Sequence, residues 1–176
     1  MNKPIFDPNF WSERVRENPE EIHRAVRYCS IDQRAGYEVK ANALLHQIIQ
    51  PHDSILDVGC GPGLLLNIMP AHWRGYYLGV DICPEFIRKA QMEHDRTFLR
   101  VDAREIPSIL SERESVGLRG RFDVAVCFDF ARMVKDNMGE DVWNRIKTGL
   151  LERCSKVLVM EPTVVEGQWE LHHEIF

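Results

Sequence analysis

A strand-length apolar run leads into a glycine-rich turn at Ile55-Leu56-Asp57-Val58-Gly59-Cys60-Gly61-Pro62-Gly63. Glycine lets the backbone turn tightly and lets a ligand approach closely, and the leucines that follow begin a helix whose amide end faces the same place. The sequence therefore predicts a ligand site at this turn. A dinucleotide fingerprint would need a further glycine at position 64 or 66, and both positions hold leucine. This difference disfavours a nicotinamide-dependent oxidoreductase.

Further apolar runs follow the turn, separated by polar or glycine turns and by segments of helical period. The predicted strands cover residues 55–58, 76–80, 98–101, 122–128 and 157–160. Strands that alternate with helices form a mostly parallel sheet that is covered on both faces. Residues 168–175 could add a strand, because Trp169, Leu171, His173 and Ile175 share one face of an extended chain. The predicted fold is α/β, with a doubly wound sheet of five or six strands.

Two helices are predicted before the first strand. Asn18-Pro19-Glu20-Glu21 supplies a capping side chain, a proline and acidic residues, all of which are typical of a helix start. A second helix is predicted to begin near Asp32 and to end before Pro51.

Helices are also predicted between the strands. We expect the first crossover helix to end at Pro70, the second to begin at Cys83-Pro84-Glu85, and the last long helix to run from Met138 to Arg153. Residues 104–120 contain a proline, two glycines and many charges, which predict an irregular helix and a solvated loop.

The composition is that of a globular protein, with 44% hydrophobic and 28% charged residues. A length of 176 residues suits one domain, for which we expect a helical lead-in over 1–50, a cofactor-binding core over 54–161 and a tail over 162–176. The net charge of −5 and the scattered basic residues disfavour a nucleic-acid partner. We expect a cytoplasmic location and no membrane association, because no segment resembles a signal peptide or a membrane span. The five cysteines include no C-x-x-C pair and are expected to be free thiols.

Carboxylates follow the predicted strands where parallel sheets bind their ligands. Asp81 ends the second strand, where a carboxylate can accept hydrogen bonds from both hydroxyls of a ribose, and Asp102 follows the third, where it can accept from an adenine amine. Phe128-Asp129-Phe130 ends the fourth strand. Each residue alone could be a turn or a helix cap. Their occurrence in order at successive strand ends indicates a nucleoside-containing ligand.

In this order the motifs resemble those of class I S-adenosylmethionine-dependent methyltransferases. The matching segments are residues 55–63, Gly79-Val80-Asp81, Val101-Asp102-Ala103 and residues 122–126. The resemblance spans about residues 54–161 and depends on order and spacing. The part from Phe10-Trp11 through Leu45 is similar to the helical lead-in of small stand-alone members from bacterial and phage genomes.

The resemblance implies how S-adenosylmethionine would be held, with S-adenosylhomocysteine as the product. The glycines of the turn would border the methionine part, and Asp57 would orient its ammonium group. Asp81 would hold the ribose, Asp102 would meet the adenine amine, and Phe128 would lie beside the sulfonium. The implied cofactor-binding residues are Asp57, Gly59, Cys60, Gly61, Gly63, Asp81, Ile82, Asp102, Ala103 and Phe128.

The C-terminal part departs from the family pattern. Family members usually continue past the fifth strand with a helix and an antiparallel hairpin that completes a seven-stranded sheet. Here only residues 161–176 follow, so we expect a truncated sheet without the usual dimer or substrate surface. Self-association through the shortened sheet edge or the C-terminal tail is left open.

Methyl transfer needs a nucleophile held in line with the methyl group and, for some acceptors, a base. It requires no metal. Asp129 is the predicted catalytic residue, because its strand-end position follows from the pattern. The weaker candidates, each of which also fits an ordinary surface or core position, are His23, Tyr37, His172 and His173.

A small-molecule acceptor is predicted, because the motifs typical of nucleobase methylation are missing. Phe128-Asp129-Phe130-Ala131 replaces the Asn/Asp-Pro-Pro-aromatic motif, and Val126 rather than proline precedes Cys127. The leading hypothesis is methyl transfer to an oxygen or nitrogen of a small acceptor. The alternatives are a non-catalytic S-adenosylmethionine-binding protein, another reaction that consumes this cofactor and, last, nicotinamide-dependent oxidoreduction.

Overall fold

A computed structural model describes residues 7–17, 31–165 and 168–176. Within them the helices are α1 (Pro8–Glu17), α2 (Ile31–Ile48), α3 (Pro84–Glu93), α4 (Ile106–Ser115), α5 (Ala131–Met138) and α6 (Glu140–Leu151). The strands are β1 (Ile55–Val58), β2 (Tyr77–Asp81), β3 (Thr97–Arg100), β4 (Phe122–Phe128), β5 (Cys154–Val165) and β6 (Gln168–Ile175). Short 3-10 helices cover Leu64–Ile68 and Ala103–Glu105.

The strands form one sheet in the order β3-β2-β1-β4-β5-β6. Strands β1 to β5 are parallel, and β6 pairs with β5 in the antiparallel sense. This arrangement confirms the predicted doubly wound α/β fold with six strands. Strand β1 lies between β2 and β4 and is buried along its whole length, which suits its apolar residues Ile55, Leu56 and Val58. The strand order reverses between β1 and β4, and open α/β sheets bind ligands at such a switch point.

Apolar layers cover both faces of the sheet. On one face α1, α3, α4, α5 and α6 pack against Leu56, Val58 and Ala125, with Trp143 at 1% exposure among the largest buried side chains. On the other face α2 and the first 3-10 helix pack against Ile55 and Val124. The alternation of neighbouring strand residues between the two layers follows from the two-residue repeat of a strand.

The first crossover contains no α-helix, so the predicted helix ending at Pro70 is wrong. A five-residue 3-10 helix, Leu64–Ile68, replaces it. Leu65 and Ile68 are both buried, and a three-residue pitch places residues that are three apart on the same side. A short 3-10 turn therefore buries both side chains before Pro70.

The predicted last helix from Met138 to Arg153 is also wrong at its start. Gly139 adopts φ +90° and ψ 160°, a conformation that no α-helix contains, and it separates α5 from α6. Residues 104–120 are more regular than expected, because Pro107 lies in the first turn of the ten-residue helix α4. The predicted helix after Asn18 lies outside the described residues.

The other boundaries follow the predictions closely. Helix α2 begins one residue before Asp32, helix α3 begins at Pro84, and β4 covers residues 122–128 as predicted. Strand β6 forms where the alternating C-terminal residues indicated a further strand. Within the described part of the chain, no helix is both long and apolar enough to cross a membrane.

Candidate active site

A pocket opens at the carboxyl ends of β1, β2 and β4. Most of its wall is apolar, and the charged side chains that line it are Asp57, Asp81 and Asp129. The lining residues are Trp11, Asp57, Gly59, Cys60, Leu64, Leu65, Val80, Asp81, Ile82, Phe86, Val101, Ala103, Phe128, Asp129, Phe130 and Met133. The structure thus brings together most of the predicted site residues, whereas Gly61, Gly63 and Asp102 do not line this pocket.

The glycine turn borders the pocket through Gly59 and Cys60, and its glycines adopt a conformation that few other residues adopt easily. Gly59, Gly61 and Gly63 have φ values of +73°, +53° and +86°. The amides of Gly59 and Cys60 both donate to the carbonyl of Val80, at 2.9 and 3.0 Å. These bonds tie the turn after β1 to the end of β2, so that both strand ends face the same space.

Asp81 lies at the end of β2 and is held by backbone amides. Its Oδ2 accepts from the amide of Gly61 at 2.9 Å, and its Oδ1 accepts from the amide of Cys83 at 2.8 Å. Burial raises the pKa of Asp81 to about 6, although the amide hydrogen bonds act to lower it. The amide of Ile82 also donates to this carboxylate, whose two oxygens together have four lone pairs, so acceptor capacity remains for a ligand hydroxyl.

Asp57 lies deeper in the site, at 1% exposure. The hydroxyl of Tyr77 on β2 donates to its Oδ2 at 2.6 Å. Burial, followed by the nearby charge of Asp57, raises the pKa of Tyr77 well above its ordinary value, so Tyr77 remains a hydrogen-bond donor. Sequence reasoning missed Tyr77, because its pairing with Asp57 depends on the register between β1 and β2.

The third predicted carboxylate is engaged outside the pocket. Asp102 caps the 3-10 helix Ala103–Glu105, and its Oδ1 accepts from the backbone amide and from Nε of Arg104, each at 2.9 Å. Ile82 and Ala103, its neighbours at the strand ends, do line the pocket. The contact between Asp102 and an adenine amine therefore stays a prediction.

Asp129 directly follows β4 and has a φ of +54°. Residues other than glycine, asparagine and aspartate rarely adopt this left-handed backbone conformation. Its amide donates to the carbonyl of Met160 at 2.8 Å, and Nη2 of Arg132 donates to its Oδ1 at 2.9 Å. Uncommon backbone conformations of this kind cluster at functional sites, where surrounding contacts hold them.

Two residues in the second half of β5 add to that support. A carboxylate oxygen of Glu161 accepts from the backbone amide of Arg132, and the carbonyl of Pro162 accepts from Nη1 of Arg132 at 2.9 Å. Burial raises the pKa of Glu161, while its hydrogen bond from the Arg132 amide acts to lower it. Asp129 and Arg132 are three residues apart, a spacing in the sequence that could have predicted their ion pair. No sequence pattern indicated the hydrogen bond between Glu161 and Arg132.

Several apolar lining residues were also missed. Phe86 and Met133 follow strands β2 and β4 in the chain, and Trp11 comes from helix α1. Phe130, by contrast, belongs to the Phe128-Asp129-Phe130 run that was expected at the end of the fourth strand. Among the weaker candidates for a base, His172 and His173 are exposed on β6 and do not line the pocket. His23 and the side chain of Tyr37 lie outside the described residues.

Comparison with known proteins identifies the fold and the family. A family model described as a methyltransferase domain matches residues 10–146. The magnesium protoporphyrin IX methyltransferase from Synechocystis PCC 6803, crystallised with S-adenosylmethionine, is similar over 99% of this chain and 97% of its own, with a TM-score of 0.62 and 16% identity. The plantazolicin methyltransferase, crystallised with S-adenosylhomocysteine, matches 88% of this chain and 58% of its own, with a TM-score of 0.53 and 16% identity.

Curated relatives match about half of the chain. A malonyl-[acyl-carrier protein] O-methyltransferase from Anoxybacillus flavithermus is 32% identical over 93 residues, which cover 52% of this chain and 32% of that protein. A ubiquinone biosynthesis O-methyltransferase from Xanthomonas campestris pv. campestris is 27% identical over 100 residues, which cover 56% and 39%. The matches therefore span only about a third of the length of these relatives.

The pocket fits the cofactor of this family. Asp81 retains acceptor capacity for sugar hydroxyls, Asp57 supplies negative charge for a cationic ligand, and the apolar wall suits a purine ring. The sheet order, the glycine turn and the family match over residues 10–146 agree. The chain belongs to the class I S-adenosylmethionine-dependent methyltransferases.

Proposed function

We propose that this protein transfers a methyl group from S-adenosylmethionine to an oxygen or nitrogen atom of a small-molecule acceptor. The observation that carries the proposal is the convergence of Asp57, Asp81 and Asp129, from three strand ends, on one pocket with apolar walls. Aspartates at separate strand ends allow one side of the pocket to hold a cofactor while the other receives an acceptor.

The cofactor would be held mainly by the ends of β1 and β2. Asp81 would accept the ribose hydroxyls, Asp57 would face the positively charged methionine end, and the backbone of the glycine turn would border that end. Ile82 and Ala103 would flank the adenine, and Phe128 would lie beside the sulfonium. Bound there, S-adenosylmethionine supplies a methyl group on a positively charged sulfur, which is a strong electrophile.

Asp129 would bind the methyl acceptor and act as its general base. Its carboxylate lies at the pocket wall and can orient an acceptor hydroxyl or amine and take its proton as the new bond forms. Arg132, Met160 and Glu161 support the turn that carries Asp129, so the carboxylate is held in place before the acceptor arrives. The apolar residues around it would exclude water from the reacting atoms.

The comparisons favour oxygen as the acceptor atom. Both of these curated relatives are named as O-methyltransferases, and each is matched over little more than half of this chain. Within the proposed oxygen or nitrogen acceptors, an oxygen atom is therefore the first to test. The substrates in those names remain properties of the relatives.

An acceptor panel tests the proposal. Purified protein would be incubated with labelled S-adenosylmethionine and with sets of phenols, carboxylic acids, alcohols and amines, and both S-adenosylhomocysteine and methylated product would be quantified. We expect product in at least one oxygen or nitrogen class. Tight cofactor binding without any product would instead favour a non-catalytic binding protein, and breakdown of the cofactor without acceptor would favour different chemistry.

The pKa of Asp81 predicts a pH dependence of cofactor binding. Because this pKa lies near 6, the affinity for S-adenosylhomocysteine should fall about tenfold between pH 7 and pH 5, as the fraction of ionised carboxylate falls. The same titration affects fold stability in the opposite direction. The contribution of Asp81 to the free energy of unfolding is fully present below its ordinary pKa of 3.8 and is lost as the pH rises through 6. Protonation of Asp81 therefore does not itself destabilise the fold over this pH range.

Calorimetric titrations from pH 8 to pH 5 would measure this dependence, with Asp81→Asn as the matched variant. Asparagine preserves the shape and cannot ionise, so its affinity should be lower at pH 7 and nearly constant over the range. An equally steep pH dependence in Asp81→Asn would show that another group is responsible.

A further inference from the structure

Helix α1 contributes one wall of the cofactor pocket although it precedes the sheet in the chain. Trp11 lines the pocket and is 7% exposed. Its ring centroid lies 6.2 Å from that of Phe86, a residue of α3 that lines the same pocket. The two aromatic side chains, which lie 75 positions apart in the sequence, thus form a continuous wall from two helices.

One polar contact fixes α1 to α3. The hydroxyl of Ser12, which is 5% exposed, donates to Oε2 of Glu85 in the first turn of α3. Burial acts to raise the pKa of Glu85, but hydrogen bonds from Ser12, from its own amide and from Cys83 outweigh burial and leave the pKa below its ordinary value. Glu85 is therefore ionised at neutral pH, and its bond with Ser12 is charge-assisted.

The same glutamate connects α1 with the carboxylate that faces the ribose. The thiol of Cys83 donates to Oε2 of Glu85 at 3.4 Å, and the amide of Cys83 donates to Oδ1 of Asp81 at 2.8 Å. Ser12, Glu85, Cys83 and Asp81 thus form an unbroken series of hydrogen bonds from α1 to the end of β2. A shift of Glu85 would disturb both the aromatic wall and the turn that orients Asp81.

We propose that Trp11 is a cofactor-contacting residue and that Glu85, through Ser12 and Cys83, is the positioning residue that holds Trp11 and Asp81 on opposite sides of the bound nucleoside. This inference rests on the proposed binding of S-adenosylmethionine. It assigns a binding role to α1, which lies outside the strand-end motifs of the family, and it makes cofactor retention depend on a contact between helices.

The test uses S-adenosylhomocysteine as the probe, with calorimetry for affinity and stopped-flow fluorescence for rates. Removing the acceptor in Glu85→Ala, or the donor in Ser12→Ala, should weaken binding about tenfold, roughly the effect of losing one charge-assisted hydrogen bond, mainly through faster dissociation. Glu85→Gln keeps an acceptor oxygen for Ser12 and should restore most of the affinity. Glu93→Ala is the matched control, because Glu93 lies on the same helix and pairs with Lys89 in an exposed salt bridge.

Trp11→Phe adds a spectroscopic readout that a merely structural role would not change. We expect the tryptophan fluorescence change on S-adenosylhomocysteine binding to be largely lost in Trp11→Phe, while calorimetry still detects binding. Unchanged affinity and dissociation in both Ser12→Ala and Glu85→Ala, or a full fluorescence change in Trp11→Phe, would overturn the inference. Failure of the wild type to bind would instead refute the proposed function, on which the inference rests.

Discussion

Replacing Gly59 by alanine is expected to weaken the binding of S-adenosylhomocysteine roughly 100-fold. The φ of +73° at Gly59 costs a residue with a Cβ atom about 1–2 kcal/mol. The added Cβ would also lie 2.6 Å from Cδ2 of Phe130, so the aromatic ring or the turn must move at a further cost of about 1–3 kcal/mol. Both groups belong to the pocket wall, so the unliganded variant should relieve the strain by moving them out of the shape that binds the ligand. Restoring that shape on binding would cost about 3 kcal/mol, which corresponds to roughly 100-fold in affinity.

Gly117→Ala is the matched control for backbone strain. Gly117 has a φ of +78°, but a Cβ at this position meets nothing within 4 Å, and the residue lies outside the pocket. Its substitution should lower the free energy of unfolding slightly and leave ligand affinity unchanged. Equal losses of affinity in Gly59→Ala and Gly117→Ala would contradict a specific role of the glycine turn.

Asp129→Asn is expected to reduce methyl transfer to the best acceptor by a factor of about 100 or more, the range over which general bases contribute. Asparagine tolerates the left-handed backbone of this position and keeps an oxygen for Arg132, so the turn should keep its shape. The variant lacks the carboxylate that would take the proton of the acceptor. The affinity for S-adenosylhomocysteine should stay within about threefold, because Asp81 and Asp57 remain.

Turnover and ligand affinity of this variant would be measured beside those of Asp136→Asn, which removes the same charge from an exposed position on helix α5. The control should behave as the wild type. Full turnover in Asp129→Asn would show that the acceptor brings its own ionised nucleophile and that Asp129 only shapes the pocket.

Much of the fold could be predicted from short-range patterns. The apolar runs located the strands because strands of a parallel sheet are buried on both faces. For β4, both the first and the last residue agree with the prediction. The glycine turn was predictable because positive φ values at residues 59, 61 and 63 leave few alternatives to glycine. The alternation of apolar residues likewise predicted β6.

The wrong boundaries arose where tertiary packing decided between similar local structures. The run Leu64-Leu65-Leu66 suits an α-helix as well as a 3-10 turn, and the burial of Leu65 with Ile68 selects the turn. Gly139 inside an apparent helical period is compatible with either a continuous helix or a break. Its observed φ of +90° depends on how α5 and α6 pack against the sheet.

The site was predictable where it follows the strand ends and not where it depends on contacts between distant segments. Asp57, Asp81 and Asp129 were found because the end of each strand is visible in the sequence. Tyr77 and Trp11 reach the site through strand register and helix docking, and no local pattern encodes either. Arg104 and Arg132 follow Asp102 and Asp129 at short distances in the sequence, a pattern that could have predicted both ion pairs.

The most direct test of the central claim is a calorimetric titration of the wild-type protein with S-adenosylmethionine, S-adenosylhomocysteine and NAD, repeated with Asp81→Ala. We predict micromolar binding of the first two ligands, a loss of about tenfold or more in Asp81→Ala as a hydrogen-bonding carboxylate is removed, and no binding of NAD. An absence of binding to either sulfur-containing ligand, or binding of NAD alone, would contradict the assignment of this pocket to S-adenosylmethionine.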